Sequence, residues 1–316
     1  MIVSIKKILK TSIPLIFGAV LVWYSLSKIS INVLIGYFKE ANYEWIFLGL
    51  FFGILSHLSR AYRWKFMLDP LGFKPRFTNS VLAVLVGYLV NLAIPRAGEV
   101  SRAFVLTNYE QIPFEKGFGT IVAERIADLV MMLCIIIITL FVQFDFIYDL
   151  LTKNFDASKI SIVLIVLIII CYILYFFVKK ATSGILLKIK AFVIGLVEGV
   201  TSIFRMKNKI AFIFHTIFIW VMYVAMFWAT IPGISGLEVP FGGVLIGFIA
   251  GGFSIAATNG GIGLYPIAVA GALALFDIPS DTATAFGWIM WTAQTAMIII
   301  FGGLAFLFLP IYNKHK

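Results

Sequence analysis

Residues 91–103 read NLAIPRAGEVSRA and interrupt an otherwise apolar chain. They set Asn91, Pro95, Arg96, Gly98, Glu99 and Arg102 directly behind a run of hydrophobic residues. Inside a bilayer every backbone N–H and C=O must be paired within the protein, so a broken backbone survives only if it is buried in protein or lines a wet cavity. Either the run before the break lies outside a membrane, or the break is a built feature. The rest of the chain decides between the two.

The chain has 316 residues, of which 61% are hydrophobic and 13% charged. Its mean hydropathy is +1.03. Soluble domains carry about 25% charged residues, so this is an integral membrane protein. Its polar stretches are too short for a soluble domain, and one embedded domain spanning 1–316 is expected. The net charge of +10 comes from basic residues lying between apolar runs. The positive-inside rule accounts for that placement, and no nucleic-acid partner is expected. Cys134 and Cys171 sit within apolar runs, and His57, His215 and His315 are scattered. That pattern suits neither a disulfide framework nor a metal site, and no cofactor is expected. Lys6 and Lys7 precede the apolar stretch 13–26 in the manner of a signal peptide, but no clear small-residue cleavage site follows. The segment therefore reads as a retained first helix.

Apolar runs of about 18 or more residues mark membrane helices. They fall near 8–28, 43–62, 118–142, 159–178, 210–230 and 284–309, which predicts six full crossings. Trp23, Tyr43, Trp45, Trp64 and Trp288 lie near predicted ends, where aromatic belts form. Two regions stand outside this count. Segments 80–94 and 99–107 flank the opening motif, and 241–257 and 262–276 flank ATNGGIGLYP. Each arm is too short to cross a bilayer at a rise of about 1.5 Å per residue. The predicted fold is thus all-α and membrane-integral, with about six transmembrane helices and two re-entrant helical hairpins.

Lysine and arginine set the orientation. Lys6, Lys7 and Lys10 put the N-terminus in the cytoplasm, and Lys314 and Lys316 put the C-terminus there too. Arg63, Lys65, Lys74 and Arg76 place the 63–79 loop inside, as the basic residues of 179–209 do for that segment. The loops 143–158, 231–240 and 277–283 are acidic or free of basic residues, apart from Lys153, and read as outside. Every loop obeys the rule only if both hairpins return to the side they came from. Repeat 1 (43–142) and repeat 2 (210–309) then have opposite topology. Inverted repeats with interrupted helices near the midplane are frequent in transporters. The segment 181–204 reads as a cytoplasmic connector, either an amphipathic helix lying in the interface or a plain link.

At the first break, Pro95 and Gly98 permit a turn. The next arm starts with backbone N–H groups that favour an anion. Arg96 and Arg102 flank that start, and arginine suits bidentate phosphate recognition. The bland alternative is a capped helix whose arginines snorkel to lipid. The next helix contains VAERIADLV, which puts Glu124 and Asp128 on one face, with Arg125 between them in sequence. Ionisable groups at membrane depth default to functional hypotheses, although an interfacial salt bridge fits equally. Arg60 and Arg63, three apart, are candidates to join Arg96, Arg102 and Arg125 around one cytoplasmic-side vestibule, or serve positive-inside anchoring. The second tip is polar only through Thr258, Asn259 and Tyr265, around Gly260, Gly261 and Gly263. It serves either to expose backbone amides or to pack helices closely. No catalytic set emerges from the sequence.

Four pieces in order, RAYRWKFML, NLAIPRAGEVSRAFVL, VAERIADLV and NGGIGLYP, give the chain a resemblance to the lysylphosphatidylglycerol synthase transmembrane family, or flippase-like domain proteins, over about 10–310. Pro95, Gly98, Glu99 and Arg102 match the family's Pro–x–x–Gly–Glu turn and the basic residue after it. Glu124, Arg125 and Asp128 match its Glu–Arg–x–x–Asp signature. The last motif departs, with Asn259 in place of a proline and Pro266 where a glutamate is usual, so a carboxylate role there is in doubt and Asn259 or Tyr265 stands in by hydrogen bonding. The resemblance implies a lipid translocator. The aminoacyl-transferring domain of fused relatives is expected to be absent, so lysyl transfer is not implied.

The sequence-based expectation is a multi-pass protein of the cell membrane that flips an anionic or phosphate-bearing lipid. Arg96 and Arg102 would hold the headgroup, with Arg60 and Arg125 in support. Glu99, Glu124 and Asp128 would orient the arginines or bind a coupling proton, and the acyl tails would stay in lipid. The alternative is an integral membrane enzyme, or an accessory subunit, in lipid-linked glycosyl or aminoacyl transfer. A lipid-synthesising enzyme and a second copy of the chain remain open as partners.

Overall fold

The computed structural model describes residues 18–94, 96–154 and 206–314, together with scattered helical positions between 166 and 194. Among them are helices and no strands. The helices are α1 (Gly18–Leu26), α2 (Ile31–Glu40), α3 (Tyr43–Leu68), α4 (Phe77–Ala93), α5 (Ala97–Glu110), α6 (Phe114–Val142), α7 (Phe144–Asn154), α8 (Lys209–Thr230), α9 (Phe241–Ala257), α10 (Leu264–Ala274) and α11 (Ser280–Tyr312). The chain divides into two compact units, one reaching Glu124 and resuming at Ile210, the other Arg125–Lys209.

Four helices are long and apolar enough to cross a membrane: α3 and α8, each with a short 3-10 turn appended, α6 and α11. They correspond to four of the six predicted crossings. A fifth arises if α1 and α2, bent by 84° at their junction, count as one span. The expected span 159–178, the connector 181–204, Pro95 and the first part of the expected helix 8–28 lie outside the described residues.

Several predicted boundaries move. Helix α3 runs on to Leu68, so Arg63 and Lys65 are helical and the loop begins after them. Its start is fixed by Asn42, whose side chain accepts from the Glu44 N–H at 3.0 Å, an N-cap of the usual kind. Helix α6 begins at Phe114, a turn earlier than predicted. Residues 144–154, predicted as loop, form α7, and α2 was not anticipated. Of the expected belt residues, Trp64 and Trp288 are buried, whereas Trp23, Tyr43 and Trp45 are exposed and fit an aromatic belt.

Both short pairs are antiparallel hairpins. In the first, Arg76 Nε donates to Glu110 Oε1 at 2.9 Å, which ties the start of α4 to the end of α5. Near the break, the Gly98 N–H donates to Asn91 Oδ1 at 2.7 Å. A β-carbon at Gly98 would collide with the Gly87 carbonyl and the Asn91 side chain, so the arms close only on glycine. In the second hairpin Gly243 faces Phe276 at the base, and Gly251 faces the Tyr265 ring near the break. The two tips approach each other, with Gly260 against Leu92.

Helix α3 lies antiparallel to α8. Gly49 packs on Met226 and Thr230 at one end, and Arg63 reaches Thr216 at the other. The main apolar core joins Ile46, Phe227, Tyr265, Val269, Leu273, Phe286 and Met290. It embeds the second hairpin between α8 and α11, where Phe227 and Phe286 meet edge to face at 5.1 Å.

Candidate functional site

The densest charge cluster in the first unit gathers on Glu124. This carboxylate is fully buried and pairs with three arginines from two other helices. Arg60 donates to Oε1. Arg102 donates through Nη1 to Oε1 at 3.0 Å and through Nη2 to Oε2 at 3.2 Å, a bidentate fork. Arg63 Nη2 lies 3.6 Å from Oε1. Arg63 is 0%, Arg60 2% and Arg102 3% exposed.

Each arginine is braced by neutral groups as well. The Arg102 guanidinium lies 4.3 Å over the Trp64 ring, and the Trp64 indole N–H donates to Thr120 at 2.8 Å. Arg63 donates to Thr216 at 3.0 Å and rests on Phe212 at 5.4 Å. Arg60 Nη2 reaches the Tyr223 hydroxyl at 3.4 Å. Nothing in the sequence distinguished Trp64, Thr120, Thr216 or Tyr223 from ordinary helix residues. Trp64 and Thr120 lie one helical turn from Arg60 and Glu124, whereas Thr216 and Tyr223 have no charge within a turn.

Burial separates this cluster from an exposed surface salt bridge. At a rise of 1.5 Å per residue, Arg60 lies about 26 Å from the start of α3 and about 12 Å from its end. Glu124 lies about 15 Å along α6 on the same measure. Snorkelling requires an exposed charged head, and Arg60, Arg63 and Arg102 have none. Taking such ions out of water costs several kcal/mol each, which is offset here by mutual pairing and by the fork on Arg102.

The remaining predicted residues fall elsewhere. Arg96 is exposed at the first tip and adopts the left-handed conformation, φ 60°. The positive φ at this turn falls on Arg96, while Gly98 lies within α5. A left-handed residue with a β-carbon costs about 1–2 kcal/mol, and such outliers concentrate at working sites. Glu99 is half-buried in the first turn of α5, where an acid suits the helix dipole. In the second unit Arg125 and Asp128 form an i,i+3 ion pair at 3.4 Å. At the second tip Gly260, Gly261 and Gly263 all have positive φ. The Asn259 carbonyl accepts from the Ile262 N–H, and the Trp291 indole N–H donates to the Gly260 carbonyl at 2.8 Å. Tyr265 is buried, and Gln294 donates to its hydroxyl at 3.3 Å. Among the described residues no three His, Cys, Asp or Glu side chains gather as a metal site would require.

Long apolar helices, two hairpins of short helices and a buried ionic cluster together define a multi-pass membrane protein. Residues 12–302 match the family model described as the Lysylphosphatidylglycerol synthase TM region, and the chain belongs to that family. It is similar to the UPF0104 membrane protein MJ1595 of Methanocaldococcus jannaschii, with 33% identity over 125 residues, 39% of this chain and 37% of the relative. It is also similar to the glycosyltransferase AglD of Haloferax volcanii, with 31% identity over 77 residues, 24% of this chain and 12% of the relative. The chain thus matches well under half the length of either relative. No solved structure matches it.

Proposed function

We propose that this protein translocates an anionic or phosphate-bearing lipid across the cell membrane. The observation that carries the reading is the fully buried Glu124 with Arg60, Arg63 and Arg102 around it, Arg102 being supplied by the short-helix hairpin α4–α5. Ionisable groups at membrane depth are expensive and mark substrate or ion pathways. On this reading the helix–hairpin–helix series α3 to α6 and α8 to α11 form an inverted repeat with both termini cytoplasmic, and the hairpins are re-entrant. The antiparallel packing of α3 on α8 and the meeting of the tips support it. The headgroup engages Arg96 at the exposed tip, with Asn259 across from it. Glu124 and Arg102 form the barrier whose rearrangement accompanies passage. Glu99 and Asp128 are the further carboxylates available to a coupling proton.

The test is headgroup accessibility in liposomes containing labelled phosphatidylglycerol, its aminoacylated form or a polyprenyl phosphate. Protein-dependent loss of the protected inner-leaflet pool, abolished in Arg96→Ala, is the expected result. Wild-type rates in Arg96→Ala would remove Arg96 from the site, and no movement of any lipid by folded protein would overturn the reading. The partial similarity to a protein named a glycosyltransferase favours one alternative, a membrane part serving lipid-linked glycosyl transfer. A new covalent lipid product that depends on the protein would select it.

A further inference from the structure

A cleft of about 240 Å³ opens between α3, α4 and α11. Ile54, Leu58, Leu85, Met297 and Phe301 wall it, and the surface it presents is apolar. Leu58 is 37% and Phe301 41% exposed, so the cleft reaches the outer face of membrane-spanning helices. Sites that take a whole small molecule measure about 300–1,000 Å³; this one suits part of a ligand. Apolar cavities of this kind stay dry, and in a bilayer the neighbours able to enter sideways are hydrocarbon chains.

At one end of the cleft polar groups lie just beneath its apolar surface. His57 lines it and is 8% exposed. Its Nε2 makes no hydrogen bond among the described residues, while Nδ1 sits 3.5 Å from the Ser56 hydroxyl. A buried imidazole nitrogen left in this state loses its water and gains nothing in return. Beside it, the Tyr88 ring lies 4.4 Å from the imidazole and also lines the cleft. The Tyr88 and Tyr223 hydroxyls are 3.1 Å apart, and Tyr223 accepts from Arg60. A polar chain therefore runs from the cleft to the cluster on Glu124. His57 lies about 21 Å from the start of α3 and about 17 Å from its end at 1.5 Å per residue, close to the middle of the span.

We propose that this cleft holds one hydrocarbon tail of the translocated lipid and that a polar oxygen at the head of that tail bonds His57 Nε2. The proposal rests on the translocator reading and changes one part of it: a tail travels against the protein rather than in bulk lipid. It also gives the anionic head a defined approach to Arg60 by way of Tyr88 and Tyr223.

The experiment uses the full chain in liposomes doped with phosphatidylglycerol carrying a diazirine on one acyl chain, and in parallel with a diazirine-bearing polyprenyl phosphate. The arm that labels identifies the tail as acyl or prenyl. Illumination is expected to label peptides covering 81–88 and 297–301. Leu85→Trp fills the cleft and is expected to cut that labelling at least fivefold and slow translocation in the same vesicles. If Leu85→Trp does not give monodisperse protein, Ile298→Trp fills the cleft from α11. His57→Phe is expected to weaken labelling and His57→Gln to retain it. Label spread evenly over the exposed helices and unchanged by the tryptophan would overturn the proposal. So would loss of labelling with wild-type translocation. Cleft-specific labelling by a protein that moves neither lipid would uphold the tail site and overturn only the translocator reading.

Discussion

The first hairpin carries Arg96, Glu99 and Arg102 around its break, whereas the second carries only Thr258, Asn259 and Tyr265. Both solve the same backbone problem by folding two short helices against each other, and both rely on glycine where the arms are closest. Their side chains then do different things. The first delivers Arg102 to a buried carboxylate and leaves Arg96 exposed in a left-handed conformation. The second is held by the Trp291 bond to the Gly260 carbonyl and by packing of Gly263 on α1 at Leu21 and Val22. On the proposed translocator reading, a charged hairpin facing an apolar one would give a path with one side that binds and another that seals.

That contrast can be broken at the cluster first. Glu124→Gln leaves three buried arginines around a neutral amide, and removing one partner of a buried pair costs about 3–5 kcal/mol. Chemical unfolding of the purified protein in micelles should show a loss of that size; wild-type stability would mean that the arginines are balanced without Glu124. Next comes the closure of the first hairpin. Gly98→Ala is expected to destabilise by about 1–3 kcal/mol through overpacking. Gly271→Ala in the second hairpin has open space around it and should stay within about 0.5 kcal/mol. Equal effects in thermal melts would contradict the close approach described for Gly98.

Sealing at the second tip is a smaller matter. Trp291→Phe removes one hydrogen bond to the Gly260 carbonyl and should cost about 0.5–1.5 kcal/mol. Vesicle leak or a slow background lipid exchange in this variant, beyond its loss of stability, would sharpen the sealing role. The least structural change is expected at Arg96. Arg96→Ala should alter stability by no more than about 0.5 kcal/mol while abolishing lipid movement. A large fall in melting temperature would make Arg96 a packing residue instead.

The helix ends show how far local patterns reach. Arg63 and Lys65 read as loop because basic residues usually flank a span, yet the helix continues because Arg63 finds Glu124, Thr216 and the Phe212 ring inside the bundle. Helices α2 and α7 escaped notice because they are short, and a search for long apolar runs does not register them. Trp64 read as a belt residue because tryptophan favours interfaces. It is buried because its ring carries Arg102 and its N–H has Thr120.

Composition alone determined that the chain lives in a membrane, because a surface this apolar has no other solvent. The four long spans and the two breaks were legible too, since both follow from length and from Pro, Gly and charge at membrane depth. The individual candidates Arg60, Arg102 and Glu124 stood out for the cost of placing them there. Only the tertiary structure decided that these three belong to one cluster, that Arg96 rather than Gly98 takes the left-handed turn, and that His57 ends an apolar cleft. Each of those depends on which faces of distant helices meet. A helix sequence shows which residues share a face, but its partner on that face is chosen by the packing of the whole bundle.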